Sequence, residues 1–412
     1  MRFLQNISTF RALHNRNYAL YFSGQSVSLI GTWMQRTSVS WVIYTMTHSE
    51  FMLGVAIFSQ QFPSFLLSLY GGIISDRYNR YKIILITQTA AMIQAILLAI
   101  LILSNKAMVW EILSLSVLLG IINAFDVPAR QPMVNEMIGD KKELPNAIAL
   151  NSSMVNLARI VGPSLSGIIL ETYGAGICFL LNALSFVAVL TSLLMMKLPP
   201  YSPNPVRKNA VSELKEGVQY IKQMPTIAFA ILMIGSMSLL VLPYETLLPV
   251  FAKEIFKGNA ATFGYIRSFI GLGAIAGTIF LASLKGNMDL RKVLLINTGI
   301  MGVGLLFFSH ITNFPIAMLF AVIVGFGAMS QNTICNTLIQ VNTASHMRGR
   351  IISFYTMAFF GMLPLGSLLL GTVSERTGTP NAIFVQGIVA IVIALLFSRF
   401  FLRSKLITTR EK

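Results

Sequence analysis

The amino-acid sequence predicts an all-α polytopic membrane protein with twelve transmembrane helices in two six-helix bundles. Of its 412 residues, 55% are hydrophobic and only 11% are charged, whereas about 25% are charged in a soluble domain. The apolar residues form blocks of about 20, the length that crosses about 30 Å of hydrocarbon as a helix. Unbroken apolar runs indicate helices, because the strands of a membrane barrel alternate apolar and polar residues.

The blocks of apolar sequence define the predicted spans. Each span ends where charged, proline or glycine residues interrupt the apolar run. The twelve spans have approximate bounds at residues 18–46, 51–75, 83–104, 109–131, 147–171, 174–196, 226–250, 261–284, 291–309, 315–339, 351–373 and 381–402.

A polar segment at residues 199–225 separates the two groups of six spans. Its proline-rich start cannot continue a helix. Its later apolar residues recur at helical spacing among charged ones, which predicts an amphipathic helix on the cytoplasmic membrane surface. The predicted domains are therefore an N-terminal six-helix bundle (1–198), this linker (199–225) and a C-terminal six-helix bundle (226–412).

The net charge of +16 comes from 31 Lys and Arg against 15 Asp and Glu. With the N-terminus inside, four of the 31 fall on the outer face, three lie within spans and the remaining 24 are cytoplasmic. The positive-inside rule then predicts that both termini are cytoplasmic. The excess charge faces anionic membrane lipid, and no nucleic-acid partner is expected. The outer-face cations are Lys106, Lys253, Lys257 and Arg376.

The fifth and eleventh spans carry the same pattern, which indicates an internal duplication. Each repeat contains an even number of crossings, so both copies enter the membrane in the same orientation. Parallel repeats of this kind are a known transporter construction, with the substrate site at the repeat interface near the bilayer midplane. Four pairs share an offset of 204 residues: Gly162 and Gly366, Gly167 and Gly371, Glu171 and Glu375, Gly174 and Gly378.

The connection between the second and third spans reads GGIISDRYNRYK at residues 71–82. Cytoplasmic charge bias explains its basic residues, Arg77 and Arg80 among them, but does not require Asp76 or Gly72. The stretch resembles the signature loop of the major facilitator superfamily: a glycine, an acid–Arg pair, a turn residue and further basic residues. Asn79 replaces the usual turn glycine, which we attribute to a left-handed backbone that both residues adopt.

The resemblance extends over nearly the whole chain and is closest to a bacterial branch of siderophore exporters and macrolide-efflux-like proteins. Ala158, Gly162, Pro163 and Gly167 resemble the fifth-helix motif that the superfamily associates with export. Other similar stretches include GTWMQR (31–36), AFDVPARQ (124–131) and CFLLNALSF (178–186). The resemblance implies the major facilitator fold and a place in the bacterial inner membrane.

The resemblance also implies a conformational gate in the 71–82 loop. The loop acid meets the cytoplasmic start of the eleventh span when the inner side is closed, where a helix N-terminus carries about half a positive charge. Asp126, one turn from Arg130, is expected to complete an ion-pair relay with Arg80. The alternative is a solvated loop that obeys charge bias alone.

Ionised residues within spans are functional candidates, because a charge at the bilayer centre costs several kcal/mol. Glu245, between Pro243 and Pro249, is the candidate for a protonatable coupling site; its alternative is a structural pair with Arg267. Arg159 either enters the cavity or pairs with an acid such as Asp126. Neighbouring polar and aromatic residues contact substrate or form interhelical hydrogen bonds. The candidates are Arg36, Glu245, Arg267, Arg159, Gln35, Trp33, Asn123 and Tyr244.

The sequence favours a secondary active exporter of an amphiphilic small molecule, such as a siderophore or a drug-like compound. No GxxxxGK[ST] loop is present, so ATP is not the direct energy source. Proton antiport and alternating access are expected from the resemblance. Drug–proton antiporters carry an arginine four residues before a fourth-helix glycine, but this chain has Ser116 there, so that role is not transferred.

Alternatives on the same fold are a lipid or lysolipid flippase and an importer. A membrane enzyme is disfavoured, because the four histidines show no metal-binding spacing. We predict no cofactor and no metal. The expected partners are the small-molecule substrate, protons and membrane lipid, and the expected state is a monomer.

Overall fold

The computed structural model describes residues 8–138, 141–197, 210–284, 288–344 and 346–403, and every regular element within these ranges is helical. The predicted all-α fold is confirmed. A short 3₁₀ turn precedes thirteen helices: α1 (Arg16–Thr47), α2 (Glu50–Arg77), α3 (Arg80–Leu103), α4 (Val109–Met137), α5 (Leu144–Tyr173), α6 (Ala175–Leu194), α7 (Ala210–Gln223), α8 (Pro225–Ile255), α9 (Ala260–Ser283), α10 (Leu290–His310), α11 (Phe314–Asn342), α12 (Arg348–Thr377) and α13 (Thr379–Arg403).

Eleven of these helices are long and apolar enough to cross a membrane. The twelfth predicted span is α1, whose 32 residues are also long enough at about 1.5 Å per residue. It is less apolar because it contributes polar side chains to the protein interior. The buried ones are Gln25, Ser28, Gln35, Thr37 and Ser38. The remaining helix, α7, is the predicted amphipathic helix of the linker; residues 199–209 of that linker lie outside the described ranges.

Side-chain caps explain where several helices begin. Asn15 and Ser49 accept hydrogen bonds from the first turns of α1 and α2, as N-cap residues do. Asn79 does the same for α3, accepting from the backbone N–H of Lys82 at 3.3 Å. Its backbone is extended (φ −63°, ψ 110°), as an N-cap requires. The left-handed turn predicted for Asn79 is therefore wrong.

Helix α8 is interrupted, which the sequence analysis did not predict. A regular helix runs from Pro225 to Leu240, a 3₁₀ segment follows at Leu242–Leu247, and the end is wound as a π-helix at Phe251–Ile255. Pro243 lacks the N–H that would continue the regular hydrogen bonding. The side-chain amide of Gln386 donates to the carbonyl of Leu240 at 3.1 Å, so this carbonyl keeps a partner within the membrane.

The chain forms two compact units. The first comprises Met1–Pro205 with Pro249–Ser268, so it contains α1 to α6, the end of α8 and the start of α9. Its main helix pairs are α2 with α4, α1 with α6 and α5, and α3 with α6. The second unit comprises Val206–Leu248 with Phe269–Lys412. There α10 packs on α11 and α13, and α8 packs on α12.

Helices α5 and α12 carry the duplicated sequence pattern. Each contains 30 residues. Gly174 ends α5 with φ +80°, and Gly378 ends α12 with φ +84°. This backbone region is strained for residues with a Cβ atom, so the matched glycines serve the same turn in both copies. The geometry agrees with the duplication that the 204-residue offset indicates.

Helices α2 and α4 approach closely at Gly71. A Cβ atom at this position would overlap the backbone carbonyl oxygen of Ala124, whereas a Cβ at Gly72 would meet no atom within 4 Å. The hydroxyl of Ser75, one turn further along α2, donates to the carbonyl of Pro128 at 3.2 Å. The packing of α2 on α4 therefore requires Gly71, whereas Gly72, the glycine assigned to the loop motif, makes no such close contact.

We predict opposite effects for two neighbouring substitutions. Gly71→Ala should lower the free energy of unfolding by about 1–3 kcal/mol, because α2 and α4 must move apart. Gly72→Ala, the matched control, should leave it unchanged or raise it by up to about 1 kcal/mol through helix propensity. Thermal unfolding of both variants in detergent measures the difference. Equal changes in the unfolding temperature of the two variants would contradict the close packing of α2 on α4 at Gly71.

Candidate functional site

Arg80 joins the ends of three helices at the α2–α3 connection. It is the first residue of α3 and pairs with Asp76, in the last turn of α2, at 3.2 Å. Its other terminal nitrogen lies 2.6 Å from Glu136 near the end of α4, and its Nε donates to the carbonyl of Ser75 at 3.2 Å. Asp76 remains half exposed, with 50% of its side chain accessible. Arg77 is exposed.

Asp126 lies deeper along α4 and is only 5% exposed. Its Oδ1 accepts from the Thr87 hydroxyl at 2.8 Å and from the Gln88 amide at 2.9 Å. Its Oδ2 accepts from Nε and Nη2 of Arg130, at 2.9 and 2.6 Å. The remaining terminal nitrogen of Arg130 donates to the side-chain oxygen of Gln25 on α1. One carboxylate and one guanidinium thereby connect α1, α3 and α4.

The structure pairs Arg80 with Glu136 in place of the predicted Asp126. Ten residues separate the two acids along α4, which is about 15 Å of helix. Arg80 therefore reaches the acid at the end of α4, while Asp126 is occupied by Arg130, Thr87 and Gln88. The sequence analysis offered Asp126 as one possible partner of Arg159. The structure does not pair them, because the carboxylate of Asp126 accepts from Arg130, Thr87 and Gln88.

Sequence reasoning missed Glu136, Thr87 and Gln88. Thr87 and Gln88 form a polar pair within the apolar run IILITQTAAM of α3, and that pair was an available signal for a buried polar partner. Glu136 was the second acid on the same helix as Asp126. The predicted span ended at residue 131, whereas α4 continues to Met137. Glu136 therefore lies in the last turn of α4, where it can pair with Arg80.

Gln35 is part of an interhelical network. It is 1% exposed, donates to Gln94 on α3 at 2.9 Å and accepts from Asn182 on α6 at 2.7 Å. Gln94 in turn donates to the backbone carbonyl of Leu115 on α4 at 3.1 Å. Of the two roles left open for this residue, the hydrogen-bonding pattern favours the interhelical one.

Arginine side chains from two helices of the first unit contact the ring of Trp33. The guanidinium of Arg36 lies 5.2 Å from the centre of the Trp33 ring, and that of Arg159, from α5, lies 5.8 Å from it. Both distances are typical of cation–π contacts. Arg267, from α9, donates to the Thr37 hydroxyl at 3.3 Å and lies over the ring of Phe263. Arg36 interacts electrostatically with both Arg159 and Arg267.

The glycines of the fifth-helix motif position these arginines. A Cβ at Gly162 would lie 2.5 Å from the Cβ of Trp33, so this glycine permits α5 to approach α1 there. Arg159 lies one turn earlier on α5, on the same side as Gly162. A Cβ at Gly167 would lie 2.9 Å from both the Ala260 carbonyl oxygen and the Cα of Gly264 on α9.

Close approach at Gly167 and Gly264 therefore brings α9 against α5. Arg267 follows Gly264 by three residues, so the helical repeat places it near the same contact. The hydroxyls of Ser164 and Ser268 lie within 2.5 Å and join the two helices at the next turn. Pro163 is buried between the two close contacts of α5.

The other candidates lie on separate elements. Glu245 is half-buried in the 3₁₀ segment of α8, and Tyr244 beside it is 2% exposed. Both belong to the second unit. Asn123 is half-buried on α4, one turn before Asp126.

The α9–α10 connection, which corresponds to the 71–82 loop in the second repeat, also holds an acid–Arg pair. Asp289 caps α10 and accepts from the backbone and side-chain N–H groups of Arg291, each at 3.0 Å. Hydrogen bonding from Arg291 lowers the pKa of Asp289 below its ordinary value. At pH values above the ordinary pKa of aspartate, this pair stabilises the folded protein. The stabilisation is lost as the pH falls through the lowered pKa of Asp289. Residues 285–287 of the connection lie outside the described ranges.

Among the described residues, eleven helices are long and apolar enough to cross a membrane, and α1 is a twelfth helix of sufficient length, so the fold is that of a multi-pass membrane protein. A family model described as a transmembrane secretion effector matches residues 7–409, so the chain belongs to that family of the major facilitator superfamily. The superfamily resemblance noted in the sequence is confirmed. The protein is a transporter and not an enzyme.

Two curated relatives cover nearly the whole chain. The staphyloferrin A transporter of Staphylococcus aureus is 28% identical over 94% of this chain and 96% of its own length. The enterobactin exporter EntS of Salmonella choleraesuis is 24% identical over 91% of this chain and 90% of its own. Among solved structures, a POT family transporter in complex with 5-aminolevulinic acid has a TM-score of 0.75 at 15% identity. The superposition covers 94% of this chain and 96% of that transporter. At 15% identity this similarity shows a shared fold and nothing about the function of this chain.

We predict that Asp126, buried on α4, and Asp76, half-exposed at the end of α2, differ in their contribution to stability. Asp126→Asn should lower the free energy of unfolding by about 3–5 kcal/mol, because it leaves the Arg130 charge without its buried counter-ion. Asp76→Asn, the half-exposed control, should lower it by less than about 1 kcal/mol. Denaturation followed by helical circular dichroism measures both. If Asp126→Asn lowered the free energy of unfolding by no more than Asp76→Asn does, the buried pair of Asp126 and Arg130 would not be a structural tie between helices.

Proposed function

We propose that this protein is a secondary active exporter of an amphiphilic small molecule, either a siderophore or a drug-like compound. The observation that carries the proposal is the similarity over more than nine-tenths of the chain to the staphyloferrin A transporter and the enterobactin exporter. The second of these names specifies export. The close approach of α5 to α1 and α9 at Gly162 and Gly167 supports the assignment of that segment to the export motif.

Transport proceeds by alternating access, in which residues 1–198 and 226–412 move as two bundles joined by the linker at 199–225. Asp76 serves as a latch whose half-exposed carboxylate exchanges partners between states, while Arg80 keeps the ends of α2, α3 and α4 together. The protein acts as a monomer in the bacterial inner membrane with both termini cytoplasmic. Lys and Arg predominate in the segments assigned to that side.

Proton antiport is the proposed energy source, and Glu245 is its candidate carrier. Asp126 is a poorer candidate, because four hydrogen-bond donors already occupy its carboxylate and proton exchange would have to break the tie between α3 and α4. Glu245 lies in the interrupted part of α8, where a membrane helix departs from regular winding. Irregular backbone at membrane depth is typical of ion-coupling sites.

Everted membrane vesicles test direction and coupling together. If the protein is an exporter, vesicles should accumulate added staphyloferrin A or enterobactin in the lumen when respiration acidifies the lumen. Vesicles treated with an uncoupler should not accumulate either compound. Asp76→Asn should insert normally and reduce this accumulation by about tenfold, a typical size for a lost conformational coupling. Lys106→Gln, at an exposed outer connection, is the matched control with wild-type accumulation.

Two outcomes would contradict export, and a third would contradict the latch role of Asp76. Movement of either probe out of preloaded everted vesicles would indicate an importer. Transfer of a fluorescent lysolipid between leaflets, with neither probe accumulated, would indicate a flippase on the same fold. Equal accumulation by Asp76→Asn and the wild type would make the 71–82 loop an ordinary connection.

A separate prediction concerns Glu245. Glu245→Gln should abolish the dependence of transport on the pH difference while probe binding in detergent is retained, because the variant cannot exchange a proton. Counterflow in vesicles without a gradient is the control for an intact translocation path. If the variant transports at the wild-type rate with unchanged pH dependence, Glu245 is not the coupling residue and the structural pair with Arg267 is favoured.

A further inference from the structure

Helix α11 of the second unit corresponds position by position to α4 of the first. Each contains 29 residues, and an offset of 205 residues superposes their first and last residues and aligns Gly120 with Gly325. A Cβ atom at either glycine would meet a backbone carbonyl oxygen of the helix packed against it. The oxygen belongs to Gln60 on α2 for Gly120 and to Ile270 on α9 for Gly325. The offset therefore aligns positions that are equivalent in structure as well as in sequence.

Gln331 and Cys335 of α11 occupy the positions that Asp126 and Arg130 occupy in α4. The second unit thus has a neutral amide and a thiol where the first has a buried ion pair. Gln331 is 0% exposed, and neither its side-chain nitrogen nor its side-chain oxygen has a hydrogen-bond partner among the described residues. An amide can donate two hydrogen bonds and accept two. Leaving these unmade in a membrane helix is unfavourable, which points to a bound partner.

Helix α10, which packs on α11, corresponds in the same way to α3. An offset of 210 residues aligns their first residues and places Asn297 and Thr298 at the positions of Thr87 and Gln88. Thr87 and Gln88 donate to Asp126. Asn297 and Thr298 instead donate to backbone carbonyls of their own helix, at 2.8 and 2.9 Å. These donors are therefore used within α10 and not by Gln331.

Asn297 nevertheless lies against the same part of α11. A Cβ atom at Gly327 would be 2.9 Å from the backbone carbonyl oxygen of Asn297. Gln331 follows Gly327 by one turn, on the same side of the helix. Asn297 is 2% exposed, and its side-chain oxygen has no hydrogen-bond partner among the described residues. An unpartnered amide of α11 and an unpartnered oxygen of α10 thus lie within about one helical turn of each other, without a direct hydrogen bond between them.

We propose that Gln331 and Asn297 form a binding site for an ordered water molecule, which bridges α10 and α11. A water molecule accepts a hydrogen bond from Nε2 of Gln331 while it donates one to Oδ1 of Asn297. A sodium ion would suit the two side-chain oxygens but would face the N–H groups of the amide. An anion would suit those N–H groups but would face the oxygens. Water is the smallest ligand that offers both a donor and an acceptor.

The bridge gives the second unit an uncharged counterpart of the Asp126 contacts. In the first unit a carboxylate of α4 joins that helix to α3 through Thr87 and Gln88. In the second unit the water molecule joins α11 to α10 through two amide side chains. The site goes beyond the proposed transport function, because it concerns how one bundle is held together and does not depend on cargo or direction.

A cryo-EM structure of the wild-type protein in lipid nanodiscs, at a resolution that shows ordered water, tests the site. Parallel samples in sodium chloride and in choline chloride distinguish water from sodium. Density should appear about 2.7–3.2 Å from both Gln331 and Asn297 in both salts, as in ordinary hydrogen bonds. Density in sodium chloride alone, a direct hydrogen bond between the two side chains, or no density between them would overturn the proposal.

A double-mutant cycle of Gln331→Leu and Asn297→Leu tests the bridge in solution. Either change removes the bridge, so the second change should have a smaller effect when the first is present. The coupling should be about twofold to a hundredfold in the equilibrium constant for unfolding in detergent. Gln331→Leu with Ser116→Ala is the control and should be additive, because the Ser116 hydroxyl is bonded within α4 of the other unit.

Additive effects of Gln331→Leu and Asn297→Leu would overturn the bridge. The structural comparison uses the wild-type protein alone, so it decides the proposal even if a leucine variant does not fold. Neither experiment requires transport, and failure of the water site is therefore distinguishable from failure of the export proposal.

Discussion

The need to satisfy charged and polar side chains without water is the constraint on which the rest of this structure depends. In the membrane interior each such group requires a partner from the protein or from a bound molecule. Asp126 meets the requirement with donors from Thr87, Gln88 and Arg130, and the same contacts hold α3 against α4. The polarity of α1 follows from this constraint too, because Gln25 and Gln35 supply hydrogen bonds to neighbouring helices.

Arg36 is an exception to this constraint: its guanidinium carbon lies 5.2 Å from the centre of the Trp33 ring, and its buried Nε has no acceptor among the described residues. Arg130 therefore ties α4 to α1 through Gln25, whereas Arg36 contacts the ring of Trp33 on its own helix. The fifth-helix motif acquires a direct role in this account. Gly162 and Gly167 lack side chains at the points where α5 meets α1 and α9, and those two contacts assemble the arginine cluster.

Hydropathy was sufficient to predict the spans, helical spacing predicted the amphipathic α7, and the resemblance of motifs such as the 71–82 loop predicted the superfamily. They were insufficient for the contacts between helices, because membrane helices are apolar on most faces and the sequence does not show which face meets which neighbour. Gly71 and Gly72 look equivalent in sequence, yet only Gly71 faces α4. Glu136 and Asp126 are both acids of α4, and only its helical length shows which one reaches Arg80. Pro243 was visible, but the winding of α8 around it was not.

A double-mutant cycle of Asp126→Asn and Arg130→Gln tests the central claim most directly, namely that a buried charge in this protein requires a partner from a neighbouring side chain. The account predicts that each single variant loses stability and that the double variant loses less than the sum of the two, because removing both groups leaves no uncompensated buried charge. The free energy of unfolding in detergent, followed by circular dichroism, measures all three losses. Additive losses would contradict the account.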